Sequence, residues 1–67
     1  MELSTRNQMP GEIIELKKGP VVSEVVIKAG EFEIAGVITT TSVEHMGLKV
    51  GDRVMALIKA TEVSFIK

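Results

Sequence analysis

Val21-Val22-Ser23-Glu24-Val25-Val26-Ile27-Lys28 is the stretch that decides the fold. Alternate residues divide it into two faces, Val21, Ser23, Val25 and Ile27 against Val22, Glu24, Val26 and Lys28, which is the period of a β-strand. Valines stand on both faces. One face in a barrel interior and the other partly in a subunit contact would produce that pattern. Immediately downstream, Ala29-Gly30-Glu31 has the composition of a short hairpin connection, and Phe32, Ile34, Gly36 and Ile38 then alternate with Glu33, Ala35, Val37 and Thr39. A glycine in mid-strand at Gly36 predicts a bend or a close approach of backbone.

Working outward, Lys18-Gly19-Pro20 is a turn signal on the N-terminal side, preceded by an imperfectly alternating Glu12 to Lys18. Pro10-Gly11 is expected to break the chain before that. The first ten residues form a polar arm, Ser4-Thr5-Arg6-Asn7-Gln8 flanked by Leu3 and Met9. It reads either as a frayed terminus or as an edge strand that carries Ser4, Thr5 and Arg6 into a cleft shared with another subunit.

On the C-terminal side, Ile38 runs into Thr39-Thr40-Thr41-Ser42, four consecutive hydroxyl residues. Thr41-x-x-Glu44 has the spacing of a capping box, and Gly47 suits the left-handed stop of one short helix. The hydroxyls and the free amides of a helix start are donors for a tetrahedral oxyanion; the plainer alternative is a capped helix between two strands. Lys49-Val50-Gly51-Asp52 reads as a reversal. Arg53 to Lys59 alternates Val54, Ala56 and Ile58 against Met55, Leu57 and Lys59, and Val63 to Ile66 predicts a last strand. The expected fold is all-β with one short helix, a small OB-like β-barrel of five to six strands in a single domain spanning 1–67.

Composition narrows the function. A chain of 67 residues has room for one small core, and it buries only about 60% of the surface exposed on unfolding. With no Cys and a single His45, neither disulfides nor a structural metal reinforces it, while 45% of its residues are hydrophobic. A homo-oligomer is the expected remedy. Eight basic against nine acidic residues give a net charge of −1, the basic residues are scattered, and Phe32 and Phe65 are the only aromatics, so no nucleic-acid footprint is present. No apolar run is long enough to span a membrane and no signal peptide is apparent, which makes the expected location cytoplasmic.

Catalysis fails on inventory. His45 has no group to orient it, the carboxylates fall in turns or on polar faces, and no phosphate-loop spacing occurs, so the chain reads as a binder and not an enzyme. Three segments hold donors that can meet: Ser4-Thr5-Arg6-Asn7, Thr39 to Ser42, and Ile58-Lys59-Ala60-Thr61. Competing readings are an OB-type nucleic-acid binder, which needs basic stripes and aromatics this chain lacks, and a purely structural oligomerisation module.

Taken in order, Ser4-Thr5-Arg6-Asn7-Gln8, Gly11-Glu12-Ile13, Lys18 to Val25, Thr39 to Leu48, Lys49 to Asp52 and Ile58 to Val63 resemble the molbindins, the single-domain Mop family of molybdate-binding proteins. The resemblance covers nearly the whole chain and rests on order and spacing, since none of the motifs is specific alone. It implies an OB-like barrel assembled as a hexamer, a trimer of dimers, that binds molybdate and tungstate between subunits as an intracellular store. It further implies a site in which Ser4, Arg6, Lys59 and Ala60 come from one subunit and Thr39 and Ser42 from its partner, with Thr5 and Asn7 in main-chain or supporting contacts. Gly19-Pro20-Val21-Val22-Ser23-Glu24 departs from the family's usual G-A-V-N-A-E, and Pro20 has no N–H to offer a second anion site there.

Overall fold

The computed structural model describes residues 4–67; of the predicted arm, Met1, Glu2 and Leu3 lie outside the described residues. Four antiparallel strands form one sheet in the order β3-β2-β1-β4, with β1 spanning Asn7–Lys18, β2 Val22–Ala29, β3 Phe32–Thr39 and β4 Arg53–Ile58. A short helix, α1 at Thr40–Met46, connects β3 to the turn before β4, and a 3₁₀ turn at Ala60–Glu62 follows β4. The fold class is as expected, mostly β with one short helix and an OB-like layout. Its strand number is smaller, and the sheet is open between β3 and β4.

Strand β1 organises the sheet because it pairs with both β2 and β4. The expected break at Pro10-Gly11 does not occur. Residues 7–11 pair only with β4, so the ring of Pro10, which faces Met55, removes no bond from a doubly paired segment. Gly11 is required there for packing: a Cβ on it would lie 2.8 Å from the Lys28 carbonyl oxygen and 2.9 Å from the Ile27 side chain. The imperfect alternation of Glu12 to Lys18 also has a local cause. Ile13 faces Ile27 while Glu15 faces Val26, so Ile14 is the extra residue of a bulge, and the inward set switches from Met9, Gly11 and Ile13 to Leu16. The turn before β4 docks on this bulge, with Ile13 N–H donating to the Asp52 carbonyl at 2.9 Å and Gly51 N–H to the Ile13 carbonyl at 2.8 Å.

The core is small, as chain length dictates. Ile13, Ile27 and Val43 are buried, and Ser23 is buried with them at 2% exposure. Ser23 is tolerated because its hydroxyl meets that of Thr40 at 2.7 Å, and Thr40 in turn donates to the Gly19 carbonyl at 2.7 Å. Thr40 N–H donates to the Val21 carbonyl at 2.9 Å, so the turn at Gly19-Pro20 and the start of α1 are tied into one unit.

Two local expectations need correction. The N-cap of α1 is Thr39, not Thr41: Thr39 keeps extended dihedrals and its hydroxyl accepts from Ser42 N–H at 3.1 Å, which places Thr41 inside the helix. A cap two residues earlier wins because Thr39 is the last β3 residue, paired with Val22, and already has the extended backbone a cap needs. The helix does stop at Gly47, whose φ of 61° lies in the left-handed region. At the C-terminus, Val63 to Ile66 is not a strand in this chain. The 3₁₀ turn, closed by Glu62 N–H to the Lys59 carbonyl at 2.9 Å, sends the chain away from the sheet, and Phe65 and Ile66 are 94% and 98% exposed.

Candidate functional site

Two of the three donor segments meet. Ser4, Thr5 and Arg6 face Lys59, Ala60 and Thr61 across a cleft of about 270 Å³, the arm having been brought to the end of β4 by the pairing of Asn7 with Ile58. The Asn7 side chain reinforces that junction by donating Nδ2–H to the Ile58 carbonyl at 2.9 Å. Gln8 donates its amide to the Thr5 carbonyl at 2.9 Å and shapes the bend before the strand. None of the six lining residues is acidic, and two of them, Arg6 and Lys59, carry positive charge. The cleft therefore has a local sign that the whole chain, at −1, lacks.

The third segment is elsewhere. Thr39 and Ser42 sit at the start of α1, beyond the β3 edge of the sheet, while the cleft lies at the end of β4 on the opposite edge. The helix start also offers fewer donors than its sequence promised. Ser42 N–H is taken by Thr39 and Thr40 N–H by Val21, and the Thr40 hydroxyl is committed to Gly19 and Ser23. Thr39 Oγ1 donates to Ser42 Oγ at 2.7 Å. With Thr39 donating, the proton of Ser42 is the one left to point outward, polarised by the hydroxyl behind it.

Sequence reasoning named all of the cleft's lining residues except Thr61 as candidates for ligand contact. Thr61 is the second residue of the 3₁₀ turn whose first is Ala60, and its hydroxyl was visible in the same segment. Asn7, conversely, belongs to the scaffold of the cleft and not to its lining. Among the described residues no cluster of His, Cys, Asp and Glu has a metal-binding arrangement, and no helix is long and apolar enough to cross a membrane.

Beside the cleft lies a second, larger concavity of about 610 Å³ that spans the gap between β3 and β4. It is apolar, with Ile34, Gly36 and Ile38 on one side and Val54, Ala56 and Ile58 on the other, and Lys59 borders both it and the cleft.

Known proteins share this sequence pattern and fold. The TOBE domain family matches residues 3–65. Molybdenum-pterin-binding protein 1 of Clostridium pasteurianum is 42% identical over 67 residues, covering 98% of each chain. The structure of a molybdate-binding protein from Sporomusa ovata superposes with a TM-score of 0.95 at 37% identity over the full length of both chains. The cytoplasmic molybdate-binding protein ModG, solved with molybdate bound, superposes with a TM-score of 0.85 at 38% identity over 90% of this chain and 43% of its own.

Proposed function

The chain belongs to the TOBE domain family, and from that premise we propose that residues 1–67 form one domain, which binds molybdate in the cytoplasm and serves as a store of the anion. Its relatives carry names for binding and not for catalysis, and the inventory of side chains agrees with a binder. The observation that carries the reading is the cleft in which Arg6 and Lys59 stand together with Ser4, Thr5, Ala60 and Thr61. Two cations match the charge of a dianion, and hydroxyls and amides supply direction without further charge.

One chain does not enclose such a ligand. A volume of 270 Å³ open to solvent is far more than four oxygens fill, given about 30 Å³ per water in the liquid. The wall it lacks is supplied by Thr39 and Ser42 of a second copy, with Ser42 donating its outward proton to the anion. Asn7 and Thr5 hold the arm in place. The assembly is a hexamer built as a trimer of dimers, and tungstate, of the same shape and charge, occupies the same site.

Specificity follows from oxygen positions fixed by backbone and short side chains. Competitive equilibrium titration is expected to show tungstate displacing molybdate at comparable concentration and sulfate, a smaller tetrahedral dianion, doing so only in large excess. Displacement by equimolar sulfate would reduce the site to a generic anion contact, and tight binding of a single-stranded oligonucleotide would point to a nucleic-acid surface instead.

A further inference from the structure

Ser23 is the buried polar side chain among the described residues, and it shares the inward face of β2 with Val25 and Ile27. A hydroxyl in that position must be hydrogen-bonded to be tolerated, whereas a methyl group would make no such demand. Its bonds run in one direction. A carbonyl only accepts, so Thr40 commits its single proton to the Gly19 carbonyl at 2.7 Å. Ser23, 2.7 Å from Thr40 Oγ1, is then the donor to that oxygen. The order Ser23 to Thr40 to Gly19 is therefore fixed, and each bond polarises the next.

This chain of bonds ends on the first residue of α1. A helix of seven residues is too short to hold its own direction in water, so its start depends on what it is tied to. Thr39 is paired with Val22, Thr40 N–H donates to the Val21 carbonyl at 2.9 Å, and the Thr40 side chain is gripped by Ser23 and Gly19. The acceptor at the end cannot drift. Gly19 N–H donates to the Val22 carbonyl at 3.0 Å, and a Cβ on Gly19 would lie 2.5 Å from that same oxygen. Thr40 thus stands between two hydroxyl pairs. The inner one, Ser23 with Thr40, is part-buried and tied to the sheet; the outer one, Thr39 with Ser42 at 2.7 Å, is exposed.

We propose that Ser23 and Thr40 are positioning residues for the anion: they touch no ligand, and they hold the start of α1 so that the outer pair presents its donor at one fixed place. The inference rests on the part of the proposed function that gives Thr39 and Ser42 a contact with molybdate. Its consequence is selectivity. Molybdate and sulfate carry the same charge and differ in the distance from centre to oxygen, so a donor free to move adapts to the smaller ion and a donor held still discriminates against it. Loss of the inner pair weakens molybdate and narrows its advantage over sulfate.

Competitive titration of molybdate against sulfate, run beside thermal unfolding on full-length variants, tests this. Thr40→Val keeps the shape of the side chain and removes both of its hydroxyl bonds. It is expected to lower molybdate affinity about tenfold, the lower end of what loss of an orienting partner costs at metal sites, and sulfate affinity much less. Thr40→Ser retains the hydroxyl and is expected to restore the affinity and the ratio. Ser23→Ala leaves the bond from Thr40 to Gly19 in place and is expected to fall between Thr40→Val and the wild type. Because it removes one oxygen and leaves no buried group unpaired, it reports even where Thr40→Val fails to fold. A merely structural role lowers the unfolding temperature and leaves the molybdate-to-sulfate ratio of the folded protein where it was. An unchanged ratio in the folded variants, whatever their unfolding temperatures, overturns the inference and leaves the proposed function standing. A wild-type chain that does not bind molybdate, or one whose affinity Ser42→Ala leaves unaltered, overturns the proposed contact first and the inference with it.

Discussion

The two sides of this sheet differ in completeness. On the β1–β2 side every demand is met within the chain: Ile13 and Ile27 pack against each other across the bulge, Gly11 admits the Lys28 carbonyl, and the buried Ser23 hydroxyl is satisfied by Thr40. On the β3–β4 side two strand edges, an apolar groove and a cationic cleft all lack partners among the described residues. In the proposed function the first side is scaffold and the second is where ligand and neighbour are received. A 67-residue chain has too small a core to finish both, and this one completes the side that positions the helix.

The largest effect is expected from removing a cation on the open side. Arg6→Ala or Lys59→Ala is expected to weaken molybdate binding by about 2 to 5 kcal/mol, the range for truncating one partner of a buried charge pair, with the fold retained. Calorimetric titration beside circular dichroism checks it, and an unfolded variant would mean that these residues belong to the scaffold. The mirror experiment removes a side chain from the closed side. Ile13→Ala is expected to destabilise the protein by about 2 to 5 kcal/mol in denaturant unfolding, through lost burial and the cavity left behind.

Smaller effects sharpen the picture at the helix start. Ser42→Ala is expected to weaken binding by about 1 to 3 kcal/mol, since it removes the outward donor and leaves an anion oxygen unpaired. Thr39→Val removes the hydroxyl behind it and also the N-cap, so it is expected to weaken binding and, independently, to lower stability by about 0.5 to 2 kcal/mol. A loss of binding in Ser42→Ala with no loss of stability separates the two functions.

The smallest effects lie at surface pairs. Asp52 is held below the usual carboxylate range by the hydrogen bond from the Lys49 ammonium, 2.9 Å away, with further help from the Lys49 amide. A carboxylate whose pKa is lowered by folding stabilises the fold above its unfolded pKa, and that contribution fades as pH falls through the folded one. Asp52→Asn is therefore expected to be slightly less stable than the wild type near neutrality and indistinguishable from it in strong acid, read from thermal unfolding across pH. Lys17, whose pKa is raised by its hydrogen bond to Glu15 at 3.2 Å, lies outside the matched segments and does not line the cleft, and Lys17→Ala is expected to leave anion binding unchanged.

Strands β2 and β3, their hairpin and the Gly47 stop were legible because strict alternation and a two-residue turn are local signals. Strand β1 was legible only in part. Its bulge at Ile14 reverses the in/out alternation, and Pro10 is acceptable solely because the second partner strand has not yet begun there, a tertiary fact that no local pattern contains. The cap at Thr39 was missed for a similar reason: four hydroxyl residues in a row offer several caps, and pairing of Thr39 with Val22 selects among them. The cationic cleft was legible as three donor segments, of which the chain brings two together. The tail was read as a strand from the period of Val63 and Phe65, but the 3₁₀ turn at Ala60–Glu62 directs it away from the free β3 and β4 edges.

If the anion is held between two copies as proposed, with Arg6 and Lys59 on one and Thr39 and Ser42 on the other, defective chains should complement one another. Arg6→Ala chains and Thr39→Val/Ser42→Ala chains are titrated with molybdate separately and then after being refolded together, with tungstate as the competing control. Each alone is expected to bind weakly, whereas the mixture regains a fraction of sites with wild-type affinity, formed where an intact arm meets an intact helix start. A mixture no better than its two components would contradict a shared site and place every ligand contact within a single chain.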